Sequence, residues 1–275
     1  MNKSGKCFLI IFTLTAALVL AVMSAGCIDD ISPLPDEVKV KGNIISVDAR
    51  YIDAPVIMGL LFYPNNYEKE LFEAVDTFLP KDDPVLEIGA GTGALSAYIN
   101  KHLALKTEHL SLESNPYLLP LLLKTKVRNQ LGTGFLNAAV AYGEDAVPIR
   151  VSKNLLENNI SYDATSQTID VPAYTVEELI TRSDFIDKKN VTVVVGANEV
   201  GLEIFTNEPN VAEHVKTFII GTWNISNDDK ETLLKKAHNA GYVAILSSKT
   251  GEDGLKVFVF TRAEDPAGTV TPGKK

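Results

Sequence analysis

Apolar residues fall into short blocks separated by polar turns. Val85–Ile88, Leu110–Leu112, Phe135–Tyr142, Val191–Val195 and Thr217–Trp223 are compact, largely apolar runs with β-branched members. Runs of this kind are expected of strands buried on both faces of a parallel sheet. Other blocks follow a helical period. Leu71, Phe72, Val75, Phe78 and Leu79 recur at three- and four-residue steps and predict a helix over 67–79, ended by Pro80. Ser114 as cap and Pro116 in the first turn predict a second helix, with Leu118–Leu123 as its buried face. Thr175 and Glu178 have capping-box spacing ahead of a helix through Ile180, and 228–239 reads as a last helix with Gly241 just beyond it. Strands alternating with helices predict an α/β fold whose sheet is covered on both faces. Val38–Val47 alternates as a strand or hairpin would. Tyr242–Leu246 and Leu255–Phe260 predict an antiparallel pair at the sheet edge. Residues 147–173 have strand-like ends around a polar centre, consistent with a flap over the strand tips or with a plain surface loop.

The densest chemical signal lies in 84–96, PVLEIGAGTGALS. A strand leads into Gly89, Ala90, Gly91, Thr92 and Gly93, and a helix pattern begins at Ala94. Glycines let a backbone approach a ligand that any Cβ would hold off, and the helix start behind them offers free N–H groups and a positive dipole end. Glu113 ends the second strand 20 residues past Gly93, the spacing at which a carboxylate takes both hydroxyls of a ribose. A dinucleotide fingerprint is met only loosely by Gly89, Gly91 and Ala94. The pattern acid, spacer, G-x-G-x-G is met in full by Glu87 through Gly93. It suits S-adenosylmethionine, whose positive groups a carboxylate at 87 would hold directly or through water.

On these residues the chain resembles the class I S-adenosylmethionine-dependent methyltransferases. More narrowly it is similar to the FkbM family, through VLEIGAGTGALS, LESNPYLLPLLLKTKVRNQ, LNAAVAYGEDAVPIRV and VPAYTVEELI. The resemblance implies a Rossmann-like, seven-stranded, mostly parallel sheet with an antiparallel edge strand. It implies methylation of a sugar, glycan or small-molecule acceptor. It also implies a cofactor site made of Glu87, Gly89, Ala90, Gly91, Thr92, Gly93, Glu113, Ser114 and Asn115, with Asn137 and Ala138 beside the adenine. Asn137 reads equally well as a strand-end turn residue.

The same comparison exposes a departure. The family pattern at the end of strand four is close to K-x-D-x-E-G-x-E; here Gly196, Asn198 and Val200 replace three of its charged residues, and Gly201 and Glu203 keep it. Asn198 and Glu199 are the remaining candidates for positioning the acceptor and taking its proton. His102, His109, His214 and His238 fall on helix-like stretches or at the wrong end of the sheet and read as structural. No His/Asp/Glu spacing of a metal site occurs.

Residues 1–27 change the picture of where the domain works. Lys3 and Lys6 precede an apolar run, Cys7 to Met23, and small residues Ser24, Ala25 and Gly26 lead to Cys27. This resembles a lipoprotein signal with Cys27 lipidated, although Ser24 stands where leucine is usual. An uncleaved anchor and simple cleavage are the alternatives. Each places the domain outside the cytoplasm, tethered in the first two cases at the membrane's outer face. The expected layout is signal 1–27, tether 28–37, methyltransferase-like domain 38–262 and a disordered polar tail 263–275. Cys7 and Cys27 are the chain's two cysteines, so the 38–262 stretch holds neither disulfide nor thiolate ligand. The net charge of −9 becomes −11 once residues 1–26 remove two lysines and no acid. That acidity disfavours nucleic acid as a partner. Methyl donor is made in the cytoplasm, so an exported chain with eroded acids also admits a second reading. In it, a lipid-anchored, non-catalytic binding or structural protein retains the methyltransferase fold.

Overall fold

The computed structural model describes residues 34–155, 158–162, 168–183, 190–197, 200–247 and 255–263. The expected signal with Cys27, the candidates Asn198 and Glu199, and the tail from 264 lie outside the described residues.

A hairpin, β1 (Glu37–Val40) and β2 (Asn43–Ser46), opens the described chain, turning through Lys41 and Gly42, both at positive φ. Helix α1 (Ala54–Phe62) follows, with proline in its first turn, then α2 (Lys69–Phe78). The next elements are β3 (Val85–Ile88), α3 (Ala94–His102), β4 (His109–Glu113), α4 (Leu119–Asn129) and β5 (Gly134–Asn137). A smaller set comes next: β6 (Ala139–Val140), β7 (Ala146–Arg150), β8 (Asn159–Ile160) and β9 (Thr168–Tyr174). The chain then runs through α5 (Val176–Arg182), β10 (Val191–Val195), α6 (Val200–Asn207), β11 (Val215–Trp223), α7 (Asn227–Asn239), β12 (Tyr242–Ser247) and β13 (Leu255–Arg262).

Seven strands form the main sheet in the order β12-β13-β11-β10-β3-β4-β5. Strands β11, β10, β3, β4 and β5 pair in parallel, and β13 runs antiparallel to both β11 and β12. This is an α/β fold, as the strand and helix pattern predicts, with the Rossmann-like, seven-stranded sheet that the resemblance implies. The antiparallel strand sits second from the edge, between β11 and β12, rather than on the edge itself. Four short strands make a second sheet, β6-β9-β7-β8.

Two expectations shift in detail. The run Phe135–Tyr142 is one strand by pattern but two in the structure: β5 stays in the main sheet and, past Ala138, β6 joins the second sheet. The helix expected from Pro116 begins at Leu119, and Asn115, not Ser114, holds the turn by accepting the Tyr117 N–H at 3.0 Å.

The main sheet has two chemically different faces. Leu86, Ile88, Leu112, Val193 and Val195 pack under α5, α6 and α7 in an apolar core that includes Phe205, Phe218, Tyr242 and Phe260. Phe205 meets Phe218 and Phe260 edge-on, an arrangement favoured by the ring quadrupoles. The other face carries Glu87, His109, Ser111 and Thr192, all fully buried. His109 Nε2 donates to Glu87 at 3.2 Å, and its Nδ1 lies 2.9 Å from the Thr133 hydroxyl. The structural reading of His109 therefore holds.

Candidate functional site

From β3 the chain moves outward to β4 and β5, then crosses back to β10 on β3's other side. In open α/β sheets such a reversal opens a crevice at the carboxyl ends of the strands. Here the tips of β3 and β10 come very close. A Cβ on Gly89 would lie 3.2 Å from the Ala197 nitrogen, and one on Gly196 would lie 3.1 Å from the Gly89 carbonyl oxygen. Gly196 therefore follows from packing: a lysine there, as the family pattern would have it, would press on the glycine loop.

The loop turns through Gly89, Gly91 and Gly93, all at positive φ. At Gly93, also held at positive φ, a Cβ would stand 2.7 Å from a terminal methyl of Leu122 on α4, which would have to shift. At Gly91 a Cβ would meet no atom within 4 Å. The protein's packing does not require this bareness. It is the feature expected of a backbone that receives a ligand. Gly89 and Ala90 donate their N–H groups to the Leu112 carbonyl at 3.0 and 2.9 Å, which ties the loop to β4.

Glu113 completes the clamp. One carboxylate oxygen accepts the Gly91 N–H and the other the Asn115 N–H, each at 2.7 Å. Burial pushes its pKa up to about 7, although these backbone donors pull the other way; the Glu87 carboxylate adds to the rise. Asn137 spends its amide nitrogen on the Glu113 and Ser114 carbonyls, at 2.7 and 3.1 Å. It holds the turn after β4 and does not line the cleft.

A cleft of about 740 Å³ lies over this loop. Of the residues expected at a cofactor site, Gly89, Gly91, Glu113, Ser114 and Ala138 line it. Ala90, Thr92, Gly93, Asn115 and Asn137 stand behind and shape it. Glu87 is turned to the opposite face of β3, against His109, and does not reach the cleft. Strand alternation explains this: Leu86 and Ile88 face the apolar core, so Glu87 faces the other way.

Several cleft residues have no signal in the sequence. Tyr67 and Glu68, half-buried just ahead of α2, flank the glycine loop. The second sheet supplies the far wall, with Ile149, Ile160 and Tyr162, so the stretch expected as a flap does face the cleft. Tyr142 on that wall donates to Glu208 at 2.6 Å, and Glu208 also accepts the Val176 and Glu177 N–H groups at the start of α5. A carboxylate there complements the helix dipole. Glu203, which keeps the family pattern of strand four, also lines the cleft.

No protein-family profile matches the chain, and no curated protein matches it by sequence. Solved structures do resemble it. A putative RNA methyltransferase from Pyrococcus horikoshii is 11% identical, with 74% of this chain and 86% of that one aligned at a TM-score of 0.42. The M. jannaschii tRNA m1G37 methyltransferase is 12% identical over 83% of this chain and 57% of its own, at 0.47. M. capricolum TrmK, solved with the cofactor product S-adenosylhomocysteine, is 12% identical over 72% and 70%, at 0.43. Likeness at this level is a likeness of fold: the chain has the class I methyltransferase fold, and the FkbM subfamily is not among these matches. The expectation of a small-molecule or glycan acceptor, with nucleic acid set aside, is corrected here. Two of these three proteins are named for RNA or tRNA methylation, which conflicts with that expectation.

Proposed function

We propose that the domain binds S-adenosylmethionine in the cleft over β3 and β10 and transfers its methyl group. The carrying observation is Gly91, whose bare Cα faces open space beside the buried carboxylate of Glu113. The bound donor would supply an electrophilic methyl on a positive sulfur. The chain's own residues hold and orient. Glu113 has lone pairs left for ribose hydroxyls after its two backbone bonds. Ile88, Leu112, Leu118 and Ala138 offer apolar surface to the adenine. Asn198 and Glu199, directly after the Gly196 tip, remain the candidates for orienting the acceptor and taking its proton. FkbM-like character stays a reading from the sequence, and the lost charges at 196, 198 and 200 support the second reading, a lipid-anchored, non-catalytic binding or structural protein that retains the methyltransferase fold.

Calorimetry on the full chain in mild detergent tests the donor site. Micromolar affinity, about −8 kcal/mol, is expected. Gly91→Ala should weaken it more than about 100-fold and lower stability by only the ~1–2 kcal/mol that alanine costs in the left-handed region. An absence of heat with the wild-type chain at millimolar donor would remove the cofactor reading.

The N-terminus supports a tether outside the cytoplasm, with Cys27 lipidated. In a bacterial host fed labelled palmitate, the wild-type chain should take up label and Cys27→Ser should not. Membrane retention of an unlabelled wild-type chain would instead identify an uncleaved anchor.

A further inference from the structure

We propose that Glu68, steered by Tyr67 and Thr92, is the carboxylate that holds the positively charged amino group of the methyl donor. This rests on the donor site argued above and reassigns the part that the fingerprint gives to Glu87. Glu87 is fully buried on the opposite sheet face with His109, so a donor seated on the glycine loop does not meet it. Glu68 does line the cleft, beside Tyr67 and across from Gly89 and Gly91.

Its position is fixed by more than helix geometry. Glu68 is the N-cap of α2 and sits at φ 45°, a left-handed conformation that costs a non-glycine residue energy. Its carboxylate lies close to the Tyr67 hydroxyl, which in turn lies close to the Thr92 side chain within the glycine loop. A run of neighbouring side chains thus leads from the loop to Glu68.

The charge balance points to a cation. Glu68, Glu87 and Glu113 are close enough for Glu87 to raise the pKa of both others. His109 meets one oxygen of Glu87; the other, Oε1, is buried and has no hydrogen-bond partner among the described residues. No lysine, arginine or histidine lines the cleft among the described residues. An ammonium group beside Glu68 would relieve a cluster that the protein itself leaves short of positive charge. The groups bearing on Glu68 are Tyr67 and Glu87, with burial as the largest influence; together they place its pKa at about 7.

The test compares two nucleosides that share adenosine and a neutral sulfur. S-adenosylhomocysteine carries the amino-acid end, and 5′-methylthioadenosine lacks it. Glu68→Gln should weaken S-adenosylhomocysteine about 10- to 100-fold, the scale of one hydrogen bond to a charged group, and move methylthioadenosine less than about twofold. With the wild-type chain, S-adenosylhomocysteine should gain clearly more affinity than methylthioadenosine as pH rises from about 6 to 8, because Glu113 bears on the ribose of both and Glu68 on the amino group of the first alone. This second measurement decides the matter even if the variant folds poorly. Equal losses for both nucleosides, no loss for either, or no greater gain with pH for S-adenosylhomocysteine than for methylthioadenosine would overturn the assignment. Binding of neither nucleoside to the wild-type chain would instead strike the donor site itself, and this inference with it.

Discussion

His109→Ala should lower the free energy of unfolding by about 3 kcal/mol, the cost of leaving a buried carboxyl without its hydrogen-bond partner. His109 and Glu87 are both fully buried, and their side chains touch only protein. Removing the imidazole leaves the Glu87 carboxylate with no donor on either oxygen, because Oε1 already lacks one. It also takes the ring nitrogen from the Thr133 hydroxyl. Denaturant unfolding read by linear extrapolation would measure the loss. His109→Gln, which can still present an N–H, should recover part of it. A loss under about 1 kcal/mol would mean that the His109–Glu87 hydrogen bond does not hold this face of the sheet.

A second large effect concerns pH. The unliganded chain should lose stability as pH rises from about 4.5 to beyond 7. Glu113 and Glu68 each have a folded pKa of about 7 against the ordinary 4.5, so the folded state holds their protons more tightly than the unfolded chain does. Stability from this source is complete below about 4.5 and is lost as pH climbs through 7. A pKa unit is worth about 1.4 kcal/mol. The buried Glu113 thus contributes up to about 3 kcal/mol, and the half-buried Glu68 less. Thermal melts at pH 5 and pH 8 should differ by several degrees, with the lower pH more stable. Glu113→Gln should flatten most of the difference. A chain that is more stable at pH 8 would contradict the buried, weakly compensated state of these two acids. Saturating S-adenosylhomocysteine should shrink the difference, since its ammonium group favours the ionised carboxylates.

What the sequence reveals, and what it hides, follows from the range over which each feature is set. The strand, glycine loop and helix over 85–102 are legible because local backbone constraints dictate them: only glycine takes positive φ freely at 89, 91 and 93. Glu113 is legible because one crossover fixes its distance from the loop. Helix α1 is not, since APVIMGLLF is apolar on nearly every side and shows no period. It lies against the β1–β2 hairpin, with Ile57 and Leu60 buried and Leu61 and Phe62 exposed. The break at Ala138 hides inside a largely apolar run in which Asn137 is the one polar residue, because only the position of β9 draws β6 out of the main sheet. Tyr67 and Glu68 read as an ordinary helix start; their place at the cleft depends on how α2 docks. The orientation of Glu87 was available from strand alternation, but the fingerprint pointed the other way.

The pairing of β6 with β9 has a consequence for how this molecule is divided. Ala139 lies opposite Ala173, and Val140 opposite Tyr174, so the chain enters and leaves the second sheet at neighbouring positions. The described residues between carry the far wall of the cleft and are tied to the rest of the domain at further points: the Lys153 carbonyl accepts the Asp53 N–H at 3.1 Å, Asn115 donates to Asn158 at 3.5 Å, and Tyr142 donates to Glu208. The glycine loop, Glu113 and Glu68 all lie outside this stretch. The molecule is thus built as a socket with an attached wall. Exchanging 139–174 between chains of this fold would change what faces the far side of the cleft and keep the glycine loop and Glu113 in place where the bonds to Asp53, Asn115 and Glu208 are kept.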